Sequence, residues 1–213
     1  MIELKNVYLS YTKEYYTLFD VSMSVAKGKT AVVFGAVESG KSTLLRVIAG
    51  FEKPTSGTVT INGQTPDKVD FKSFNLGYLP EDGVFKENKT VEYNIAYPLK
   101  LRKFDKDISE IKVQNAIKSY DLSTLYNVKL RELQLFDRYK VALARFSLRD
   151  IQLFLIDDIF SGVSEDDAVT LAKYIVELIK NNGATAIVTC SDAKIAKIFK
   201  GEVIKLEQGS ISA

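Results

Sequence analysis

Gly35-Ala36-Val37-Glu38-Ser39-Gly40-Lys41-Ser42, followed by Thr43, has the spacing GxxxxGK[ST]. Each residue type in it suits a polyphosphate. Glycines let backbone N–H groups curl around phosphate oxygens, and a following helix would add the positive end of its dipole. Lys41 is long enough to reach β and γ phosphates, and the Ser42 hydroxyl is a magnesium ligand of the right hardness. Such a loop predicts ATP with Mg2+ as ligand, with Gly35, Ser39, Gly40, Lys41, Ser42 and Thr43 as the binding residues. A chance match in a chain of 213 residues has a probability on the order of one per cent at average residue frequencies. The plainer alternative is an ordinary glycine turn.

A second acidic site must hold the metal from a neighbouring strand. Phe154-Leu155-Ile156 ends in Asp157-Asp158, so Asp157 is the expected magnesium carboxylate. The alternative is a pair of acids solvating a strand end. Histidine is absent from the whole chain. That excludes serine-histidine triads, HExxH zinc sites and any histidine general base. The single cysteine, Cys190, has neither a resolving thiol nor a base in sequence and reads best as a small apolar residue at a strand end.

These groups need a scaffold. Glu3 to Tyr11, Leu18 to Val25 and Thr30 to Phe34 read as strands, the last a short apolar run broken by Gly35. Ser42 to Ile48 has helical spacing and stops at Ala49-Gly50. The turn Pro54-Thr55-Ser56-Gly57, the strand Thr58 to Ile61 and the turn Asn62-Gly63 predict an antiparallel element beside the loop unit. Thr90 to Arg149 contains no glycine and has mostly helical periodicity. Strand and helix then alternate: Ile151 to Ile156, Asp166 to Lys180, Thr185 to Thr189, Ala193 to Phe199 and Val203 to Leu206, with a turn at Gln208-Gly209. The pattern predicts an α/β fold of the P-loop NTPase type, with a mostly parallel sheet, an antiparallel β subdomain and an inserted helical subdomain at roughly 90–149.

Together these segments resemble the ATP-binding subunits of ABC transporters, over nearly the whole chain. The resemblance rests on Ile2-Glu3-Leu4-Lys5-Asn6-Val7 with Tyr11, on the phosphate loop and on Ile48-Ala49-Gly50-Phe51. It continues through Pro54 to Val59, Gly77-Tyr78-Leu79-Pro80-Glu81 and Lys140 to Arg145. It implies that residues 1–213 form one ATP-binding domain and that Tyr11 stacks on adenine, the alternative being an aromatic that only packs at a strand end. Glu81 would stand where the family has a glutamine, and its carboxylate can still approach magnesium, unless it is only a solvated acid in a turn.

The chain departs from the family at several implied sites. Leu133-Gln134-Leu135-Phe136-Asp137 replaces the signature LSGGQ, so Leu135 and Phe136 would crowd a backbone approach that glycine permits. Asp158 stands at the catalytic glutamate and is one methylene shorter, where a displacement of about 1 Å can lose about 10²-fold. Cys190 stands at the switch histidine, and losing one such donor costs about 10² to 10³ in kcat. Ser161-Gly162-Val163-Ser164 lacks the aspartate that normally ends that segment.

The resemblance implies a subunit that binds MgATP and hydrolyses it slowly, partnered by a separate transmembrane subunit and by a second ATP-binding subunit. Its place would be the cytoplasmic, inner face of the cell membrane. A non-hydrolysing regulatory or structural pseudo-ATPase is the alternative, and a P-loop kinase a more distant one. With 29 basic and 27 acidic residues, the charge balance suggests no nucleic acid. No apolar run approaches the length of a bilayer span.

Overall fold

In a computed structural model, residues 1–12, 15–71 and 73–212 are described. Among the described residues, two sheets and six α-helices account for the architecture. β1 (Ile2–Leu9) lies between β2 (Leu18–Val25) and β4 (Ser56–Ile61), antiparallel to both. The β1 register slips between Leu4 and Val7, where Asn6 adopts φ 45 and its side-chain amide donates to Asp20 Oδ1. The second sheet has the order β5-β6-β7-β3-β8-β9. Its strands are β3 (Thr30–Phe34), β5 (Leu76–Leu79), β6 (Leu153–Ile156), β7 (Thr185–Cys190), β8 (Glu202–Glu207) and β9 (Ser210–Ser212). All its pairings are parallel except that of β9 with β8.

Period-two alternation in the central strands divides the core. Ala31, Val33, Leu153, Leu155 and Ile187 face one side, where Leu44, Leu45, Val47 and Ile48 of α1 (Lys41–Ile48) and the apolar face of the antiparallel sheet cover them. Val32, Phe154, Ile156, Ala186 and Val188 face the other side, against the helical layer. Every residue of β6 and β7 is buried, which is why these strands read as continuous apolar runs rather than alternating ones.

Between β5 and β6 the chain forms α2 (Val91–Leu101), α3 (Lys106–Ser119) and α4 (Leu135–Phe146). Thr90 and Asp105 cap α2 and α3 by accepting from Tyr93 N and Ile108 N. The region expected to be helical thus holds three helices separated by turns. α5 (Glu165–Asn182) is capped by Ser164 and ended by Gly183 at φ 57, and α6 (Ala193–Ile198) is capped by Asp192. Strand β1 stops at Leu9, two residues short of the expected Tyr11.

Candidate functional site

The loop from Gly35 to Gly40 joins β3 to α1 at the carboxyl edge of the parallel strands, the edge where open α/β sheets bind ligands. Two glycines are required there. A side chain at Gly35 would put Cβ 2.3 Å from Leu206 O, and Gly40 has φ 101 with Thr17 O only 2.8 Å from a notional Cβ. Lys41 is buried and donates to the carbonyls of Gly35 and Ala36 at 2.8 and 2.7 Å. Its ammonium lies 3.7 Å from Asp158 Oδ2. Ser39 Oγ is buried without a hydrogen-bond partner. A buried cation resting on carbonyls beside an unsatisfied hydroxyl is a donor set that an anion with several oxygens would complete. A cavity of about 760 Å³ flanks the loop, lined by Ala36, Val37, Glu38, Ser191 and Lys205 among others.

Asp157 and Asp158 follow β6 directly, next to α1 and β7. Asp157 is held from several directions. Its N–H donates to Leu79 O at 2.9 Å, and its carboxylate accepts from Thr189 Oγ1 at 2.9 Å, with the Ser42 hydroxyl close enough to favour its ionised form. Burial pushes its carboxyl above the usual carboxylate range, with Asp158 adding to the rise, while the two hydroxyls and Lys41 pull the other way. Asp158 sits at φ 28, a region that costs a non-glycine residue on the order of 1 kcal/mol or more. It is held there by Asp158 N donating to Thr189 Oγ1 at 3.0 Å and by Ser161 Oγ donating to its Oδ1 at 3.0 Å.

Of the residues singled out in sequence, Ser39, Lys41, Ser42, Asp157 and Asp158 lie together, with Gly35, Gly40 and Thr43 in the same loop and first helical turn. Glu81 approaches from β5. Its carboxyl is raised by partial burial and by Asp157, Asp158 and Asp82, which places it within electrostatic reach of both aspartates. Tyr139 fixes the Glu81 backbone by donating to its carbonyl at 2.7 Å, and burial pushes that phenol up to about 12. Asn94, fully buried, ties down the segment after Glu81 through Lys86 N, Lys86 O and Thr90 O. Tyr11 is exposed and lies within electrostatic reach of the Arg46 guanidinium on α1.

Cys190 is buried, and burial followed by the charge of Asp158 pushes its thiol up to about 12; the S–H donates to Asp192 O at 3.6 Å. At the start of α4, Asp137 is ion-paired with Lys140 at 2.8 Å, and Lys140 lies 4.8 Å from the Phe136 ring centroid. Phe136 packs on the core, while Leu135 stays partly exposed over Gly162. The negative charge of Asp137 is therefore neutralised within its own helix.

The roles of Thr189, Tyr139 and Asn94 are not legible in the sequence, and Ser161 is marked there only as part of a family-like segment. Thr189 and Tyr139 looked like ordinary strand and helix formers, and only their spatial neighbours give them a role.

The ABC transporter family model matches residues 18–161. The chain is 30% identical over 210 residues to the sn-glycerol-3-phosphate import ATP-binding protein of Brucella abortus, covering 99% of this chain and 60% of that relative. It is 29% identical over 198 residues to the sulfate/thiosulfate import ATP-binding protein of Synechocystis sp., covering 93% of this chain and 56% of that one. The chain thus spans about 60% of the length of the curated relatives it matches. Its fold superposes on a bacterial ABC transporter cassette solved as a dimer with a TM-score of 0.87 at 25% identity, covering 100% of this chain and 97% of that one. A Clostridium perfringens protein described as part of an ABC transporter complex gives a TM-score of 0.83 at 20% identity, covering 100% and 86%, a likeness of fold. With its phosphate loop, paired aspartates and helical layer in this arrangement, the chain belongs to the ABC transporter family.

Proposed function

We propose that residues 1–213 form one ATP-binding unit of an ABC-type membrane transporter or related membrane complex, which binds MgATP and hydrolyses it slowly. The observation that carries this reading is the buried Lys41 ammonium at the mouth of a glycine loop, flanked by Ser42 and Asp157. Magnesium needs few protein ligands because it retains waters and shares phosphate oxygens, so the Ser42 hydroxyl and Asp157 carboxylate suffice to hold it. Bound MgATP supplies the phosphoryl group that water attacks. Lys41 exchanges its two carbonyls for phosphate oxygens, Tyr11 stacks on the base, and Glu81 approaches the cation and water from β5.

The residues for hydrolysis are weak. Asp158 is short for orienting water and already engages Ser161 and Lys41. Cys190 is a buried neutral thiol turned toward Asp192 O, a poor replacement for a strong donor at a developing charge. The losses overlap rather than multiply, because residues acting as a unit are non-additive. Those two positions also favour the second reading, a regulatory subunit in which bound ATP stabilises one conformation without turnover. Among the described residues no helix is long and apolar enough to cross a membrane. Spanning is assigned to a separate transmembrane subunit, with this chain at the cytoplasmic face and paired with a second ATP-binding subunit. The relatives named as import ATP-binding proteins support that assignment.

Equilibrium ATP binding and steady-state hydrolysis by the purified chain, alone and with its membrane partner, test the proposal. Binding that disappears in Lys41→Ala, with turnover that rises in Asp158→Glu combined with Cys190→His, is expected. Absence of ATP binding refutes it, and binding with no hydrolysis under any condition selects the regulatory reading.

A further inference from the structure

We propose that Thr189 is a positioning residue that sets how Asp157 and Asp158 face a nucleotide-bound magnesium ion; this rests on the MgATP reading above. Thr189 is completely buried near the end of β7. β7 runs parallel to β6 with Val188 opposite Ile156, so Thr189 falls beside the first residue after β6. Its hydroxyl has one proton and that proton is committed, donated to Asp157 Oδ1 at 2.9 Å. Its oxygen accepts the Asp158 N–H at 3.0 Å.

One hydroxyl thus grips two successive residues, by the side chain of the first and the backbone of the second. The two bonds fix complementary things. The first selects one carboxylate oxygen of Asp157 and so orients that carboxylate. The second holds the peptide of Asp158 at φ 28, from which its side chain reaches Ser161 and comes within 3.7 Å of Lys41. Threonine suits the task because its β-branch restricts χ1 within a strand, so the hydroxyl is aimed before any ligand arrives. Partners that orient a metal-binding carboxylate typically change metal affinity by about 10- to 100-fold when removed.

Thr189→Val keeps shape and removes both bonds; Thr189→Ser keeps the hydroxyl and loosens its aim. Equilibrium binding of a fluorescent ATP analogue to the full chain is measured with magnesium and with chelator, and the affinity ratio gives the magnesium-dependent gain. Thermal melting of each variant reports folding separately. The expected result is that Thr189→Val leaves metal-free affinity within about twofold of wild type and raises the magnesium concentration needed for half-maximal gain about tenfold or more. Thr189→Ser restores most of it. If the valine variant does not fold, Thr189→Cys, whose thiol is a weak donor and acceptor, is expected to show the same loss. Wild-type magnesium dependence in the valine or cysteine variant overturns the proposal, as does an equal fall in metal-free affinity. A wild-type chain that binds nucleotide without any magnesium-dependent gain, or not at all, overturns the underlying reading and the proposal with it.

Discussion

Replacing Asp158 by Asn should tighten ATP binding while slowing whatever hydrolysis remains. Asp158 Oδ2 lies 3.7 Å from Lys41 Nζ, and both side chains are almost fully buried, at 9% and 6% exposure. At an effective dielectric of about 20, opposite charges at that distance attract by about 4.5 kcal/mol, a ceiling on what a phosphate must displace. Desolvation and rearrangement reduce it, and about 2 kcal/mol is the usual range for one charged hydrogen-bonding partner. That is about thirtyfold in Kd. The same carboxylate also faces the incoming polyphosphate, so its removal relieves repulsion in the same direction. Asparagine keeps an oxygen to accept from Ser161 and tolerates the positive φ better than most residues, so folding is not at risk. Isothermal titration of ATP into wild type and Asp158→Asn reads the effect directly. The effect should shrink with added salt less than a surface pair would, because both groups are buried. Unchanged or weaker binding would refute the idea that Asp158 competes with phosphate for Lys41.

Asp157→Asn should raise the melting temperature of the nucleotide-free chain at neutral pH, because burial and Asp158 raise the folded carboxyl's pKa above the unfolded value. A group shifted that way favours the folded state below its unfolded pKa and loses that contribution as pH rises through its folded pKa. The gain from asparagine should therefore vanish in acid, where Asp157 is protonated anyway; a gain independent of pH would contradict it. The same variant should abolish stabilisation by magnesium with ATP in a melting assay. Gly35→Ala should disable the loop, since the new Cβ would meet Leu206 O at 2.3 Å and Ser39 Oγ at 2.6 Å. ATP affinity should fall by at least the cost of a 1–3 kcal/mol overpacked site, about fivefold or more, and wild-type affinity would contradict the loop geometry.

Much of the fold was legible in sequence for a physical reason. The buried runs Thr30 to Phe34 and Thr185 to Thr189 carry their burial in their composition, and the loop motif marks its own strand and helix. The two cores were not legible, because the alternation that divides Val32 from Val33 has no polar residue to reveal it. Strand β5 was masked as well. Its four residues, Leu76–Leu79, become a strand by pairing with β6, which lies far away in sequence. Within the site, the motif residues and Asp157 were recognisable by type and spacing. What tertiary contact alone reveals is the ordering of their neighbours, Thr189 under both aspartates and Tyr139 behind Glu81. The charge of Asp137 is likewise readable, but only the structure shows Lys140 one turn on neutralising it.

The fate of ATP bound to the purified chain decides whether an intact nucleotide grip sits beside weakened hydrolytic groups. Radiolabelled ATP is bound in the presence of magnesium, free nucleotide is removed, and the bound fraction is sampled over time for ATP and ADP. The label is expected to stay with the protein and remain mostly ATP through many turnovers of an intact family member, and Lys41→Ala is expected to retain none. Rapid conversion of bound ATP to ADP by the unmodified chain, or retention of label by Lys41→Ala, would contradict it.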